Sequence, residues 1–281
     1  MPARLWRAAC LALGLAVLAG PALAADARPW AAVAAPAAGA PRIVGAHGLG
    51  CIAGAAMLPA EGPGWQVIRL SRNRFWGHPD LVAYLRDLAG RARTAGLPTL
   101  WIGDLGQPRG GPLPLGHASH QIGLDADIWF DLSPKPLLST EAREHVEVAS
   151  LVRPDGMAVD PARFTPAHVA LIRLAAQHPA VDRIFVNPAI KQALCAAQPE
   201  APWLHRVRPW RGHDAHMHVR LRCPPGQPEC RDQAPIPAGN GCDASLAWWF
   251  TTEARHPPRS TAPAAPQPPM PAACAGILKA P

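Results

Sequence analysis

The sequence predicts an α+β fold, because short helical and strand patterns interleave without the regular βαβ repeat of a doubly wound sheet. Proline occupies 35 of the 281 positions, which favours short elements joined by many loops and disfavours long helical bundles. Since 49% of the residues are apolar and 17% are charged, the chain can bury a substantial core. A wholly disordered protein is therefore excluded.

The amino terminus has the organisation of a cleavable export signal. Basic residues precede an apolar run over residues 8–19 that is too short to cross a membrane. Small residues then occupy positions Ala22 and Ala24, as signal peptidase requires. We therefore predict a signal peptide over residues 1–24, cleaved after Ala24, and an exported protein without a membrane anchor.

Two segments rich in Ala and Pro flank the body of the chain. The composition of residues 25–41 predicts an unstructured lead. Residues 256–281 form a Pro-rich tail, and Cys274 within it can tie the tail back to the body through a disulfide. The predicted folded domain spans residues 42–255.

Within the body, apolar spacing and turn residues indicate a series of short elements. The first helix is predicted from Leu81, Leu85 and Leu88, which share one face, and from Gly96 beyond its end. The predicted order is a helix over 79–95, a strand over 99–105, a Gly/Pro loop over 107–114, a strand over 124–130, a helix over 165–177, a strand over 183–186, a helix over 188–197 and a strand over 216–221.

Six cysteines remain once Cys10, within the signal segment, is set aside. An even number in an exported protein favours three disulfides, and the absence of any Cys-x-x-Cys pair disfavours zinc ligation by cysteine. Cys223 and Cys230 enclose a Pro-rich loop, which favours a local bridge between them. The other four cysteines are Cys51, Cys195, Cys242 and Cys274. They allow three pairings, and their spacing does not choose among the three.

The formal net charge is +7, and it comes almost entirely from arginine, since only Lys135, Lys191 and Lys279 are lysines. A basic exported chain suits an anionic polymer or surface, although an Arg-favouring composition explains the charge equally well. No run of basic residues interleaved with aromatics is present, so nucleic acid is not a predicted partner.

Five of the twelve histidines fall in two short blocks, residues 116–127 and 212–218. On a strand, His216 and His218 project from the same face and can converge on one ion or one water. His213 approaches from the preceding turn. Either block alone is weak evidence, but together they predict a metal site.

A catalytic zinc site needs about three protein ligands and an open position. His120, Asp127 and His218 supply two neutral nitrogens and one carboxylate, which leaves a net positive charge to polarise a carbonyl and acidify water. His216 is then placed to accept a proton or to stabilise a developing oxyanion, and Asp125, on the face of Asp127, to orient a ligand. Neither an H-E-x-x-H nor a G-x-S-x-G motif occurs, which disfavours other hydrolase classes.

The two blocks resemble the signature blocks of the penicillin-insensitive murein endopeptidases, which belong to the LAS metallopeptidases. They read GHASHQIGLDADIW over residues 116–129 and RPWRGHDAHMHVRLR over residues 208–222, and the similarity covers most of residues 44–250. The resemblance implies a single LAS-type metallopeptidase domain of the α+β class. A small antiparallel sheet would carry the zinc site, flanked by helices and disulfide-tied loops.

The resemblance further implies a periplasmic zinc endopeptidase that hydrolyses the D-alanyl to meso-diaminopimelyl cross-links of peptidoglycan. Because a metal-activated water attacks and no serine is acylated, β-lactams would not inhibit it. Matching motif positions imply the zinc ligands His120, Asp127 and His218, the catalytic residues His216 and His213, and His117 as a neighbouring histidine that can also reach the metal. They also imply the disulfides Cys51–Cys274, Cys195–Cys242 and Cys223–Cys230.

Two other functions stay open at this point. A LAS-fold D,D-carboxypeptidase or dipeptidase would release a terminal D-alanine, whereas a non-catalytic zinc or peptidoglycan-binding module would hydrolyse nothing. The presence of both His213 and His216 favours an enzyme over a binding module.

Overall fold

The structure is a computed structural model that describes residues 26–114, 117–257 and 268–281. The predicted signal peptide over residues 1–24 lies outside these ranges. Among the helices within them, none combines the length and the apolar character needed to span a bilayer.

The described residues form eight α-helices and twelve strands, most of them short. The helices are α1 (Arg28–Ala31), α2 (Pro79–Thr94), α3 (Thr140–Glu144), α4 (Pro166–Ala176), α5 (Pro188–Ala197), α6 (Ala244–Trp248), α7 (Thr252–Arg255) and α8 (Ala272–Lys279). The strands are β1 (Arg42–Ala46), β2 (Leu49–Ala53), β3 (Ala56–Met57), β4 (Glu61–Gly62), β5 (Trp65–Val67), β6 (Trp76–Gly77), β7 (Leu100–Ile102), β8 (Asp125–Trp129), β9 (Val181–Val186), β10 (Val207–Pro209), β11 (His216–Leu221) and β12 (Cys230–Arg231).

A seven-stranded sheet, in the order β10-β9-β11-β8-β7-β5-β4, forms the centre of the molecule. Strand β11 pairs antiparallel with β8 on one side and with β9 on the other. Towards the margins, β10 runs parallel to β9 and β5 runs parallel to β7. The α+β class is confirmed. The sheet is larger than predicted because three-residue strands such as β5 and β10 are too short to show an alternating pattern.

One face of the sheet packs against the helices. Leu85 of α2 and Leu171 of α4 are buried in the same apolar cluster as Ile128 of β8 and Val219 of β11. Because side chains alternate along a strand, the residues between these apolar positions, Asp127 among them, project from the opposite face. The core thus anchors the two strands that carry the predicted site.

The longer predicted elements are confirmed within a few residues, including the three helices now named α2, α4 and α5. The strand predicted over 99–105 is shorter and ends at Ile102. Beyond it, the N–H of Gly103 donates to the carbonyl of Asp127 and that of Leu105 to the carbonyl of Arg74, so the backbone changes partner.

The prediction of an unstructured lead is wrong for the part of residues 25–41 that the structure describes. Trp30 lies in α1 and is 5% exposed. A Cβ added at Gly111 would come within 2.1 Å of its ring, so the indole packs directly on that backbone. Composition alone misses this packing, because one large aromatic side chain finds its partners far away along the chain.

Within the described residues three disulfides are present, with the pairings that the resemblance implies: Cys51–Cys274, Cys195–Cys242 and Cys223–Cys230. The first joins β2 to α8 and closes a small second core that also contains Trp30. Arg109 is buried beside this core and donates to carbonyls at the end of α8, including that of Leu278 at 2.8 Å. Both ends of the described chain therefore pack on the body.

Candidate metal centre

Strands β8 and β11 bring the predicted site residues together. His218 lies directly opposite Asp127 in the register, and His216 lies opposite Trp129. His120 reaches the same place from the loop before β8, where its backbone has a φ of 67°. This left-handed conformation is uncommon for a residue with a side chain and turns the imidazole back towards the strands.

Asp127 is at the centre of the cluster. Its Oδ1 atom lies 3.4 Å from Nδ1 of His218, 3.5 Å from Nε2 of His120 and 3.8 Å from Nε2 of His216. The gaps exceed ordinary hydrogen-bond distances. The shorter two match the spacing of roughly 3.3 Å expected between ligands of a tetrahedral zinc ion with bonds of about 2.0 Å.

Two of these atoms lack hydrogen-bond partners. Nε2 of His120 and Oδ1 of Asp127 are both buried, and neither has a partner within the described ranges. An unpaired buried polar atom is costly, so two that face each other need an explanation. A cation between them would satisfy both, which means that the residues present fit a transition-metal ion.

In His120 and His218, a hydrogen bond to one ring nitrogen determines that the other ring nitrogen carries a lone pair and faces Asp127. The carbonyl oxygen of Leu105 lies 2.5 Å from Nδ1 of His120, which makes Nδ1 the donor and leaves a lone pair on Nε2. The Nε2 of His218 donates to Asp125 Oδ1 at 2.7 Å, which leaves a lone pair on Nδ1. Both lone pairs therefore point at the same place, as in metal sites with oriented ligands.

Asp125 is fully buried and accepts four hydrogen bonds. The donors are His218 Nε2, Arg220 Nε, His47 Nδ1 and the backbone N–H of His120. Burial alone would raise the pKa of this carboxyl, but Arg220, His47 and His218 together hold it well below its usual range. The geometry supports the predicted role of Asp125 as an orienting carboxylate. His47 was not predicted, because a lone histidine in the turn between β1 and β2 carries no local pattern.

The pKa values of the two buried histidines differ in direction. Burial and the neighbouring His120 lower the pKa of His218 to about 4, so this ring is neutral at neutral pH, as a metal ligand must be. Burial also acts to lower the pKa of His120, but Asp127 outweighs it and raises that pKa above its ordinary value. The His120–Asp127 pair therefore attracts a positive charge, either a proton or a metal ion.

His117 approaches the other carboxylate oxygen of Asp127. Its Nδ1 is 3.7 Å from Oδ2 of Asp127, and its Nε2 is 3.0 Å from Oδ2 of Asp104. Donor atoms of His117, His120 and Asp127 all lie within 4.8 Å of one another and can hold a metal ion. The geometry thus offers both His117 and His218 as a third metal ligand beside His120 and Asp127.

Asp104 is a site residue to which the sequence assigned no role. It is buried, and it accepts hydrogen bonds from Arg72 and Arg74 as well as from His117. Burial would raise its pKa, but His117 and Arg74 lower the value to about 2. The feature that could have identified Asp104 as a site residue is its position just after β7, which lies next to β8 in the sheet.

His216 and His213 line the approach to Asp127. The His216 ring lies 5.1 Å from the Trp129 ring and 5.1 Å from the His213 ring. Nδ1 of His213 donates to the carbonyl of Arg211 at 2.8 Å, and burial lowers the pKa of this histidine. His213 and His218 share the wall of a cleft of about 470 Å³ that opens to solvent.

The fold and the site define a class: α+β proteins with a buried histidine–aspartate set that can hold a transition metal, next to two further histidines and an open cleft. The sequence profile of the penicillin-insensitive murein endopeptidase family matches residues 43–279. The chain belongs to this family, and the predicted resemblance is confirmed.

Curated relatives named penicillin-insensitive murein endopeptidase match the chain over most of its length. The one from Haemophilus influenzae is 46% identical over 242 residues, covering 85% of this chain and 82% of the relative. The one from Klebsiella pneumoniae subsp. pneumoniae is 46% identical over 256 residues, covering 90% and 91%. The one from Yersinia enterocolitica is 44% identical over 274 residues, covering 97% and 96%.

Proposed function

We propose that this chain is a zinc-dependent murein endopeptidase, which hydrolyses the D-alanyl to meso-diaminopimelyl cross-links of peptidoglycan in the periplasm. The observation that carries the proposal is the unpaired buried pair, His120 Nε2 and Asp127 Oδ1, beside an open cleft. Family membership supports the substrate class. Three disulfides support an oxidising compartment.

In this proposal His120, Asp127 and His218 hold the zinc ion. Two imidazole nitrogens and one carboxylate oxygen form a donor set that zinc accepts, with a position left for substrate or water. His218 is preferred over His117 as the third ligand, because its Nδ1 lies nearest to the unpaired Oδ1 of Asp127. When bound, zinc supplies Lewis-acid activation of water and of the scissile carbonyl.

The remaining histidines act on protons and on the substrate. His216 is partly open to solvent beside Asp127 and is assigned as the group that takes the proton of the attacking water and returns it to the leaving amine. Nδ1 of His213 is occupied by the Arg211 carbonyl, so its Nε2 lone pair can accept a hydrogen bond from a substrate N–H. No serine is acylated in this scheme, which predicts insensitivity to β-lactams.

Digestion of purified sacculi tests the proposal. The mature protein is incubated with sacculi alone, with a chelator, and with a chelator followed by added zinc, and the muropeptides are then separated by chromatography. We expect cross-linked dimers to fall and monomers to rise, with both changes abolished by chelation and recovered with zinc. The His216→Ala variant serves as the matched control, since it should keep the metal and lose turnover.

Other outcomes would contradict the proposal in distinguishable ways. An unchanged dimer fraction with release of terminal D-alanine would indicate a carboxypeptidase. Binding to sacculi that survives chelation, with no peptide released, would indicate a binding module.

A further inference from the structure

A row of aromatic rings leads from the candidate site to the surface. From the His218 ring it passes to Phe185 at 5.4 Å, to Trp210 at 5.7 Å, to Trp249 at 6.0 Å and to Trp248 at 5.3 Å between centroids. His218 is buried, whereas Trp210 is 53% exposed and Trp248 is 44% exposed. Trp210 also lines the cleft that contains His218, so the row continues that cleft.

A helix cap and a disulfide fix the segment that carries Trp248 and Trp249. Trp248 ends α6, which begins where the Asp243 side chain accepts a hydrogen bond from the Ser245 N–H. The adjacent Cys242 is bonded to Cys195 of α5. A rigid support for exposed aromatic side chains is typical of a binding surface rather than of a mobile loop.

The buried ammonium of Lys191 adds to this support. Its Nζ donates to the carbonyl of Asn240 at 2.6 Å and to that of Leu204 at 2.8 Å. Lys191 has no part in the proposed reaction, and its two bonds hold the segment that leads into α6 against the body.

We infer that Trp210, Trp249 and Trp248 form a platform on which a sugar ring of the murein glycan strand stacks. The inference rests on the proposed function, because it concerns the part of the same substrate that lies beyond the peptide. The face of an indole carries negative partial charge. The C–H groups on one face of a pyranose carry positive partial charge, so the two surfaces attract each other and exclude water.

The length of the row fits the substrate. A peptide stem of about four residues in extended form reaches roughly 14 Å from the scissile bond to the sugar that carries it. Along the row, Trp210 lies no more than about 11 Å from the His218 ring and Trp248 no more than about 23 Å. An extended stem that occupies the cleft is therefore long enough to bring its sugar past Trp210 towards Trp249 and Trp248.

The experiment compares two substrates that contain the same cross-link. One is a cross-linked muropeptide dimer that carries its disaccharides, and the other is the same peptide dimer with the sugars removed. We expect Trp248→Ala to lower kcat/KM about five- to tenfold more on the sugar-bearing dimer than on the sugar-free one, mainly through a higher KM. Trp248→Phe keeps an aromatic face and should retain most of the preference.

Leu137→Ala is the matched control, because Leu137 is 63% exposed and lies beside β4 at the far margin of the sheet. It should leave the ratio of the two substrates unchanged. Equal losses by Trp248→Ala on both dimers, or no loss on either, would overturn the platform.

A second measurement separates the platform from the catalytic proposal. Peptide-free glycan strands are titrated calorimetrically into the chelator-treated mature protein, where no hydrolysis takes place. We expect binding that Trp248→Ala weakens by a similar factor, and an unchanged affinity in this variant would overturn the inference. If the wild-type protein cleaves neither dimer, the proposed function fails. The titration still tests whether the platform binds glycan.

Discussion

The imidazole of His218 and the carboxylate of Asp125 are joined by a hydrogen bond of 2.7 Å between Nε2 and Oδ1. They lie on neighbouring strands and on the same face of the sheet. The bond matters because it occupies one ring nitrogen and leaves the other, Nδ1, facing Asp127 at 3.4 Å. A carboxylate outside the proposed ligand set thus decides how a proposed ligand is presented.

We expect Asp125→Asn to lower both zinc affinity and stability. The neutral amide cannot balance the charge of the buried Arg220 guanidinium, which should lower the free energy of unfolding by about 3 kcal/mol. Loss of the fixed orientation of His218 should weaken zinc binding about 10- to 100-fold. Denaturant titration and competition with a chelating dye measure the two effects. Asp87→Asn, at an exposed ion pair with Arg91, is the control and should change neither. Wild-type zinc affinity in Asp125→Asn would contradict the orienting role.

Asp127→Asn and His216→Ala should separate metal binding from turnover. Asp127 is the only anionic member of the proposed ligand set, so its neutral analogue should lose zinc. His216→Ala should retain zinc and slow hydrolysis of cross-linked dimers. Metal content after dialysis and dimer cleavage are measured on the same samples. Equal metal contents with equal activity losses would contradict this division of roles.

His218→Ala should weaken zinc binding more than His117→Ala does. The two rings approach different oxygens of Asp127, with Nδ1 of His218 at 3.4 Å from Oδ1 and Nδ1 of His117 at 3.7 Å from Oδ2. Zinc competition at fixed pH measures the difference. Asp104→Asn weakens the hydrogen bond that orients His117 through its Nε2, so its effect on zinc affinity should resemble that of His117→Ala. A larger loss in His117→Ala than in His218→Ala would make His117 the third ligand.

Replacing both Cys51 and Cys274 by Ala should destabilise the protein far more than replacing both Cys223 and Cys230. The first pair is 223 residues apart and the second only 7. Loop-closure entropy then predicts losses of about 5 and about 2 kcal/mol. Denaturant unfolding of the two double variants, with the other bridges intact, gives the comparison. Equal losses would show that chain entropy does not dominate.

Lys191 should make stability rise with pH between about 7 and 10. Burial lowers the pKa of its fully buried ammonium to about 7, below the value of an unfolded lysine. In this window the unfolded chain therefore binds more protons than the folded one, so raising the pH favours folding. The increase from about pH 7 to about pH 9 should be about 2 kcal/mol relative to Lys191→Met, measured by denaturant titration at each pH. A pH-independent difference between the two proteins would contradict the lowered pKa.

Local patterns were sufficient for the longer helices and for the two strands that carry the site. Helix α2 follows from the spacing of its leucines and from Gly96 beyond its end, and β8 and β11 follow from alternation. The ligand candidates lie within a few residues of each other in two blocks, so the blocks indicated the chemistry before any fold was known. Short strands such as β5 and β10 escaped prediction, because three residues carry no measurable period.

Contacts between distant parts of the chain were outside the reach of such patterns. The composition around Trp30 predicts an unstructured lead, whereas Trp30 packs into a second core with Cys274 from the other end of the chain. Asp104 and His47 also carry no motif of their own. Each becomes a site residue only because the fold places it against His117 or Asp125.

The sequence by itself determined the longer elements and the histidine–aspartate chemistry, because these depend on neighbouring residues, and it predicts the export signal on the same basis. Only the tertiary structure decided which nitrogen of each histidine faces Asp127, which carboxylates orient the rings, and where the row from Phe185 to Trp248 reaches the surface. Those properties depend on the direction of hydrogen bonds and on the packing between strands far apart in the chain, which no local pattern encodes.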